Sequence, residues 1–521
     1  MRTDRVVVVG AGVAGLVTAL ELARRGLQVT VLERAGTPGG KMRVVEVGGA
    51  RADAGPTVLT MRHVLEEIFD AAGSSLQSQL DLQPAAILAR HAWSQSERLD
   101  LHADPHQSAA AIGAFAGPRE ARGYLTFCAR ARRIYQTLEH PFMRSSRPGP
   151  LSLMWRAGAR GLPDLWRINP FTTLWQALGE HFHDPRLRQL FGRYATYCGS
   201  SPYLAPATLM LVAHVEQEGV WMVRGGMQRI AEALANLATA HGASLRYGAE
   251  ASEVLTRAAR VTGVRLSSGE ELAADAVVVN ADSAAVASGR LGASIAGAVP
   301  LLRPQQRSLS ALTWVMRGRA AGFPLLRHSV FFSADYAAEF ADIFRHRRLP
   351  RGPTVYVCAQ DRGDRDAPAP PGPERLLILV NAPPDGDRYP LDPVEIALCE
   401  KRTFALLEHC GLQLRRDGSQ LQLTTPTDFE RMFPATGGAL YGPASHGWMA
   451  SFRRPGSRTR VTGLYLAGGS THPGPGVPMA ALSGRLAAAA LCTDLALTRP
   501  SRRTATPGGT STHSAMTGSM D

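Results

Sequence analysis

The fold is decided by a short segment near the N-terminus, Val6-Val-Val-Val-Gly10-Ala-Gly12-Val-Ala-Gly15. Four β-branched residues in succession predict a buried strand, and small and apolar residues then recur at helical spacing as far as Ala23. A second apolar run occupies residues 28–32. The order strand, glycine turn, helix and strand predicts a βαβ unit, which is typical of doubly wound α/β domains with a parallel sheet.

The glycines of this turn match the G-x-G-x-x-G fingerprint of dinucleotide-binding folds. Gly10 allows the tight turn, Gly12 lets the backbone approach a pyrophosphate, and Gly15 lets the helix pack on the strand. The amino end of the helix also carries a partial positive charge that favours phosphate. Glu33 ends the second strand, where a carboxylate accepts a hydrogen bond from a ribose hydroxyl. The segment therefore predicts a bound dinucleotide.

The composition excludes several function classes. A chain of 521 residues with 45% hydrophobic content is long enough for two or three globular domains. The net charge is +13, but all basic residues except Lys41 and Lys401 are arginines spread along the chain, so nucleic-acid binding is not predicted. The six cysteines form no C-x-x-C pair, which argues against a disulfide framework or a structural metal site.

The sequence shows no clear membrane span or export signal. No uninterrupted apolar run reaches the roughly 18 residues that a spanning helix needs. The nearest candidate, residues 6–20, is short and rich in glycine, and Glu21 follows it directly. No small-residue cleavage site comes after it, as a secretory signal would require. We therefore expect an intracellular protein.

The order of the elements predicts two domains and a tail. Short strand-like pieces and small-residue helices return near residues 224–295 and again after residue 455, and the stretches between them are richer in aromatic residues, proline and arginine. The tail is rich in serine, threonine and glycine, which predicts disorder. The predicted parts are a cofactor domain of residues 1–62, 224–295 and 455–498, an inserted domain of residues 63–223 and 296–454, and a tail of residues 499–521.

Two further segments point to a family. Glu33-Arg34 is followed by Gly39-Gly40-Lys41-Met42-Arg43 and then by Asp53-Ala-Gly55-Pro56-Thr57. With these segments the chain resembles the flavin-containing amine oxidase and phytoene desaturase superfamily. The resemblance implies FAD, bound by a discontinuous Rossmann-like domain of the amine oxidase and glutathione reductase type, with α+β insertions forming a substrate domain. Paired glycines permit close approach to the cofactor, and Lys41 and Arg43 can offset phosphate charge.

The C-terminal segment indicates the branch of this superfamily. Residues 464–478 are similar to the carotenoid desaturase signature L-Y-L-x-G-x-x-x-H-P-G-x-G-x-P. Amine oxidases carry an acidic residue where this chain has Ser470, and they commonly use a lysine near the flavin. Residues 191–203, 331–336 and 437–442 also resemble bacterial carotenoid desaturases. The sequence of residues 467–485 most resembles the corresponding segment of the hydroxyneurosporene desaturases. These enzymes introduce the 3,4 double bond into 1-hydroxycarotenoids.

The resemblance implies a set of cofactor contacts but no catalytic base. The candidate catalytic residues are His472, Tyr194, Tyr197 and Asp335. His472 can instead hold its loop, and the tyrosines can instead be core residues. The proton acceptor stays open between a carboxylate and the flavin itself. The predicted cofactor contacts are Gly10, Gly12, Ala14, Gly15, Glu33, Arg34, Gly40, Lys41, Arg43, Gly55, Pro56, Thr57, Val58, Val254, Asn280, Leu440, Gly468, Gly469, Val477 and Met479.

One basic segment suggests a partner surface. Residues 142–170 contain five arginines and one acid, Asp164, with Trp155 and Trp166 interleaved. Arginine with tryptophan suits an anionic membrane interface, and the alternative is a basic loop packed on the protein. Because a carotenoid dissolves only in bilayers, we expect peripheral association with the cytoplasmic side of a membrane. The electron acceptor is predicted to be oxygen or a quinone.

Other functions of the same fold remain open on sequence grounds. They are a multi-step phytoene desaturase, a carotenoid isomerase, an oxygenating relative and a non-catalytic prenyl or lipid carrier. The complete glycine fingerprint and Glu33 argue against the carrier, which need not keep them. A site that selects a hydroxylated carotenoid needs a buried polar partner for the hydroxyl. His328, Ser329 and Thr313 are the candidates for this partner, at the blind end of a tunnel.

Overall fold

The computed structural model describes residues 4–146, 149–156, 158, 168, 170–365 and 370–498. The strands are β1 Arg5–Val9, β2 Gln28–Glu33, β3 Val44–Val47, β4 Ala50–Asp53, β5 Leu82–Pro84, β6 Ile87–Ala92, β7 Arg98–His102, β8 Trp221–Val223, β9 Ser244–Tyr247, β10 Ala251–Arg257, β11 Arg260–Leu266, β12 Glu271–Ala273, β13 Ala276–Val279, β14 Ser310–Ala321, β15 His328–Phe331, β16 Val355–Ala359, β17 Glu374–Ala382, β18 Gln413–Thr424 and β19 Leu464–Leu466.

The helices lie between these strands. They are α1 Val13–Ala23, α2 Arg62–Ala71, α3 Leu76–Gln79, α4 Pro105–Ala116, α5 Pro118–Leu138, α6 150–156, α7 Leu174–Leu178, α8 Pro185–Gly192, α9 Leu211–Gln217, α10 Gln228–Ala240, α11 Ser283–Ala287, α12 Tyr336–Phe340, α13 Pro393–His409, α14 Pro426–Met432, α15 Ala450–Arg453 and α16 Val477–Thr498. Shorter helical turns cover Glu139–Met143, Arg193–Cys198, Ala207–Met210, Ala293–Ala298, Pro304–Gln306 and Ala341–Arg345.

Five parallel strands form the first sheet, although they come from distant parts of the chain. Their spatial order is β19, β13, β1, β2 and β9. Val6 of β1 lies opposite Ala276 of β13 on one side and Val29 of β2 on the other. Parallel strands that are covered on both faces become continuous apolar runs, which is why β1 and β13 consist almost entirely of valine and alanine. The predicted α/β fold class is confirmed.

Successive residues of β1 face opposite layers. Val6 and Val8 join helices α1, α10 and α16 in the largest apolar core. Val7 and Val9 pack with residues of the three-stranded antiparallel sheet β10–β11–β12. Helix α16 crosses α1 so closely that a Cβ on Gly484 would lie 2.4 Å from the backbone oxygen of Ala14. These layers hold the glycine turn at the carboxyl end of β1.

The second sheet has seven strands in the order β18, β14, β17, β16, β15, β6 and β7. Its neighbouring strands are antiparallel, except that β15 and β6 run parallel. Because side chains alternate across a strand, one face builds an apolar core with α13, which contains Trp314, Ile378 and Val357. The opposite face turns toward the first sheet and lines a cavity.

Each of the two sheets is built from residues that the sequence analysis assigns to one of the two predicted domains. The first sheet takes strands from residues 5–33, 244–279 and 464–466, and the second takes strands from residues 87–102 and 310–424. The boundaries between the domains stay a prediction. The tail, residues 499–521, lies outside the described residues.

One helix among the described residues is long and apolar enough to cross a membrane, by length and composition only. It is Val477–Ala496, within α16. Residues 6–20, the nearest candidate in the sequence, instead form β1 and most of α1. Because α16 packs against α1, and core helices pass the same test, this single helix is weak evidence for a span.

Candidate active site

A cavity of about 760 Å³ lies between the two sheets. Its size is within the range of small-molecule sites in proteins. Most predicted cofactor contacts line it, together with the catalytic candidate Tyr197. The predicted residues that line it are Gly12, Ala14, Lys41, Arg43, Gly55, Pro56, Thr57, Val58, Asn280, Leu440, Gly468, Gly469, Val477, Met479 and Tyr197. The predicted residues outside its lining are Gly10, Gly15, Glu33, Arg34, Gly40, Val254, His472, Tyr194 and Asp335.

The glycine turn enters the cavity with no room for side chains. Gly10 has a φ of +102°, and a Cβ there would lie 2.9 Å from the backbone oxygen of Asn280. A Cβ on Gly15 would lie 2.1 Å from the backbone oxygen of Gly10. At Gly12 the nearest atom would be the Oδ1 of Asn280, at 2.7 Å. Gly10 and Gly15 therefore pack on the side of the turn that faces the protein, whereas Gly12 lies on the side that faces the cavity.

The amino end of α1 is free to bind an anion. No side chain among the described residues caps it, and its first turn carries no acid. The Oδ1 of Asn280 is buried beside the turn without a hydrogen-bond partner in the described chain, while its Nδ2 donates to the Ala467 oxygen at 2.9 Å. The uncapped helix end and the glycine turn fit the pyrophosphate of a dinucleotide. The Oδ1 of Asn280 can accept a hydrogen bond from one of its hydroxyl groups.

Glu33 is held against the same turn. Its Oε2 accepts from the Ala11 backbone N–H at 2.7 Å, and its Oε1 accepts from the Ala35 N–H at 2.9 Å. Each carboxylate oxygen keeps a further lone pair for a ribose hydroxyl. The side chain is buried, so the turn fixes its orientation. Its contact with the cofactor stays a prediction.

Three basic residues predicted near the cofactor differ in their surroundings. Lys41 lines the cavity and its Nζ donates to the Leu440 oxygen at 2.6 Å. Burial lowers the pKa of Lys41, and the nearby Asp282 opposes this effect. Arg43 also lines the cavity, and its guanidinium lies over the ring of Phe429. Arg34 instead lies on the surface, where it donates to backbone oxygens of residues 431 and 432.

Two predicted residues lie away from the cavity for clear physical reasons. Val254 is buried in the core between the first sheet and β10–β12, and its N–H donates to the Leu291 oxygen at 2.8 Å. Asp335 is exposed, and its carboxylate caps α12 by accepting from the Ala338 N–H. The expectation that Asp335 is a catalytic carboxylate is therefore wrong.

His472 supports a loop. Its Nε2 lies 2.9 Å from the backbone oxygen of Phe142 and 3.0 Å from that of Ser145. Its ring packs edge-to-face on Phe142. The histidine thus joins residues 468–476, which line the cavity, to residues 142–145. This geometry matches the structural alternative of the sequence analysis and not a catalytic role.

A buried polar cluster occupies one wall of the cavity. The Arg193 Nη1 donates to the Tyr197 hydroxyl at 3.0 Å, and its guanidinium lies over the rings of Tyr197 and Tyr356. Tyr194, behind this wall, donates its hydroxyl proton to the Oε2 of Glu216 at 2.7 Å. Burial raises the pKa of Glu216, and Tyr194, Tyr197 and Arg193 oppose this effect. The cluster puts a carboxylate and a cation beside an apolar space.

Sequence reasoning missed Glu216 and Arg193. Both line the cavity. A signal for Glu216 exists, because it is the first acid after a long apolar stretch, residues 204–215, in which His214 is the most polar residue. An acid that ends such a stretch is buried only when it has partners. Those partners are distant in the sequence, so nothing local identifies them.

A second polar chain connects the second sheet to the predicted cofactor loop. Tyr356 of β16 shares hydrogen bonds of 2.7 Å with the Oγ1 of Thr57 and with the Nδ1 of His328. The His328 ring stacks on that of Tyr356. Burial, reinforced by Arg327 and Arg193, lowers the pKa of His328 to about 3, so the imidazole is neutral. Thr57 belongs to the predicted cofactor loop, which this chain anchors to the second sheet.

The three candidate partners of a substrate hydroxyl do not all lie on the same face of the second sheet. His328 and Thr313 line the cavity, but Ser329 does not. Ser329 follows His328 directly in β15 and therefore faces the opposite side of the sheet. The expectation that Ser329 contacts substrate is wrong.

The basic segment is only partly visible in the described chain. Arg147, Arg160, Asp164, Trp166 and Arg167 lie outside the described residues. Arg144 makes ion pairs with Glu67 and Glu139, so its charge is already compensated.

Large apolar side chains nevertheless lie exposed near this segment. Leu151 and Trp155 on α6 are 82% and 83% exposed. Phe171 and Trp448 line the cavity, form an edge-to-face pair, and are also exposed. Exposed aromatic residues therefore lie at an edge of the cavity.

Fold and site together define a Rossmann-type protein whose dinucleotide turn opens into an apolar space. The family model described as flavin containing amine oxidoreductase matches residues 13–316. The chain is 58% identical to hydroxyneurosporene desaturase of Rubrivivax gelatinosus, over 100% of this chain and 99% of that protein. It is 29% identical to 1-hydroxycarotenoid 3,4-desaturase of a Flavobacterium species, over 93% and 98% of the two chains.

A solved structure shows the same fold at low identity. Cyclohexylamine oxidase from Brevibacterium oxydans aligns with a TM-score of 0.53 and 17% identity, over 95% of this chain and 100% of that one. The chain belongs to the flavin-containing amine oxidoreductase family and, within it, to the hydroxyneurosporene desaturases. The resemblance seen in the sequence is confirmed, and the protein is a flavin-dependent oxidoreductase.

Proposed function

We propose that the protein is an FAD-dependent desaturase that removes a hydride and a proton from C-3 and C-4 of a 1-hydroxycarotenoid. The product gains a conjugated double bond. The observation that carries this proposal is one cavity in which the glycine turn of a dinucleotide site continues into an apolar space. The apolar residues that line this space are Leu138, Phe142, Met143, Leu153, Ile168, Leu209, Leu211, Val212 and Val215.

The two parts of the cavity have different tasks. Gly12, Gly55, Gly468 and Gly469 bring backbone close to the cofactor, and Lys41 contributes charge next to them. A bound flavin supplies the hydride acceptor. The apolar wall orients the polyene and excludes water, which protects a developing positive charge on carbon from capture.

We propose Glu216 as the residue that takes the proton. Two carboxylates line the described part of the cavity, Glu216 and Asp282. Asp282 caps α11 by accepting from the Ala284 N–H at 3.0 Å, beside the cofactor turn. Glu216 lies on the apolar side, and its raised pKa makes it a stronger base than an exposed glutamate. One of the two carbons loses a hydride, for which the flavin would be the acceptor; as the proton of the other carbon moves to Glu216, the electron pair of its broken C–H bond becomes the second bond of the new double bond between C-3 and C-4.

Access to the substrate is proposed to come from a membrane. The exposed apolar groups of Leu151, Trp155, Phe171 and Trp448 lie near or at the cavity edge. Aromatic side chains at such a position suit the headgroup region of a bilayer. The protein would then attach peripherally to the cytoplasmic side and collect a lipid-dissolved carotenoid there. The acceptor that reoxidises the cofactor would be oxygen or a quinone.

A single reconstitution tests the function. The purified protein is loaded with FAD and mixed with liposomes that hold phytoene, neurosporene or 1-hydroxyneurosporene. We expect a flavin spectrum and one additional conjugated double bond in the hydroxylated substrate only. Conversion of phytoene to lycopene with no change in the hydroxylated substrate would identify a phytoene desaturase instead. Carotenoid binding by a protein without flavin would identify a carrier.

A further inference from the structure

The cavity face of the second sheet is mostly apolar. On either side of β16, Leu377 and Leu379 of β17 and Val330 of β15 contribute aliphatic side chains to it. Polar atoms on such a wall are costly unless a partner satisfies them. Each polar group that remains therefore needs an explanation.

His328 is the polar group with the most specific setting. The residue is 5% exposed and lines the cavity. Its Nδ1 is engaged by the Tyr356 hydroxyl at 2.7 Å, which fixes the ring. Its Nε2 is buried and has no hydrogen-bond partner among the described residues. A buried imidazole nitrogen without a partner requires an explanation, and a ligand bound in the cavity supplies one.

We infer that the Nε2 of His328 hydrogen-bonds the C-1 hydroxyl of the carotenoid, which makes His328 the residue that selects hydroxylated substrates. This inference rests on the proposed function and names the group that sets its specificity. The hydroxyl is the single polar group of such a substrate, and a neutral imidazole and a hydroxyl each offer one donor and one acceptor. Either tautomer of His328 therefore pairs with it.

The location also suits the reacting carbons. C-1 is only two bonds from C-3, so the group that binds the hydroxyl must lie close to the cofactor. Through Tyr356, His328 is linked to Thr57. The loop of Thr57 packs against the glycine turn, because a Cβ on Gly55 would lie 1.9 Å from the Lys41 oxygen and residues 12 and 39 form a β-bridge. The hydrogen-bonded chain thus ends beside the cofactor site.

Two other unpaired hydroxyls line the cavity, but their positions are less suitable. The Oγ1 of Thr313 has no partner among the described residues. Thr313 is on β14, three strand spacings from β15, or about 14 Å away. It cannot bind the same hydroxyl as His328. The Tyr336 hydroxyl is also unpaired within the described chain, and no hydrogen bond given by the structure links it to the loop of Thr57.

Substrate discrimination tests the inference. His328→Phe keeps an aromatic ring next to Tyr356 but removes both ring nitrogens, and therefore also the hydrogen bond between Nδ1 and the Tyr356 hydroxyl. We compare kcat/KM and the binding constant, read from flavin fluorescence, for 1-hydroxyneurosporene and neurosporene. The preference of the parent protein for the hydroxylated substrate should fall about 10- to 100-fold, the range for a buried polar group left unpaired. Flavin content should be unchanged, because the Tyr356 hydroxyl keeps its hydrogen bond to Thr57 of the cofactor loop. His328→Gln, which keeps a polar group there, should restore part of the preference.

Two control variants isolate the role of Nε2. Ser329→Ala removes an unpaired buried hydroxyl from the opposite face of the same strand, and Thr313→Val removes one from the cavity. Both should keep the preference. A flavin-loaded His328→Phe protein that still prefers the hydroxylated substrate would overturn the inference, as would loss of preference in Thr313→Val.

The outcome separates the inference from the proposed function. If the parent protein binds the hydroxylated carotenoid preferentially but converts none, the desaturase function fails and the binding data for His328→Phe still decide the inference. If the parent converts hydroxylated carotenoids and the variant keeps the preference, the function stands and the inference fails. Equal binding of both carotenoids by the parent protein overturns the inference directly.

Discussion

Replacement of Gly12 by valine separates cofactor binding from folding. Gly12 has a φ of −71° and a ψ of 170°, which any residue adopts, so the change creates no backbone strain. A Cβ at this position would lie 2.7 Å from the Oδ1 of Asn280, a side chain that can rotate away. The added methyl groups would occupy the cavity at the turn. We expect a folded protein that does not retain FAD.

The expected stability cost is small. Rotation of Asn280 breaks the hydrogen bond from its Nδ2 to the Ala467 oxygen, which costs about 1 kcal/mol of unfolding free energy. By contrast, a Cβ on Gly15 would lie 2.1 Å from a backbone oxygen that cannot move alone. Overpacking of that kind costs roughly 1–3 kcal/mol or more. Gly15→Ala should therefore destabilise the fold more than Gly12→Val does.

Absorbance and thermal unfolding measure the two effects. Flavin per protein is read from the absorbance of the purified protein, and stability is read from unfolding of the cofactor-free forms. Gly36→Val is the matched control, because a Cβ at Gly36 would meet no atom within 4 Å. It should keep full flavin content. A Gly12→Val protein that retains one FAD per chain would refute the assignment of the turn.

Further predictions concern the ribose, the proton and the membrane. Glu33→Gln should weaken FAD binding by about 1–3 kcal/mol, measured by titration, without a change of product. Glu216→Gln should lower turnover by about 100-fold with normal flavin content. Because Glu216 acts deprotonated, activity of the parent protein should fall as pH drops through its raised pKa, and the variant should lose that dependence. Leu151→Ser with Trp155→Ser should reduce liposome sedimentation, whereas Tyr389→Ser, which removes another exposed aromatic side chain, should not.

Short-range patterns in the sequence account for the cofactor half of the site. The strand, turn and helix of residues 5–23 lie within one stretch of chain, in which Gly10 has a positive φ and Gly15 packs on the backbone of Gly10. The segment of residues 464–479 is likewise recognised from a pattern within one stretch of chain. A local pattern for Asp335 was also present, because an aspartate before a short helix is a typical cap. Its interpretation as a catalytic carboxylate overlooked that simpler function.

The substrate half depends on contacts between distant residues. Arg193 meets Tyr356, and Tyr194 meets Glu216, only because helices and sheet pack around one space. The sequence alone determined the α/β fold, the family and the dinucleotide turn, since neighbouring residues specify them. Only the tertiary structure decided that His328 faces the cavity while Ser329 faces away. Alternation along a strand separates two faces, but which face meets the substrate depends on what packs against each.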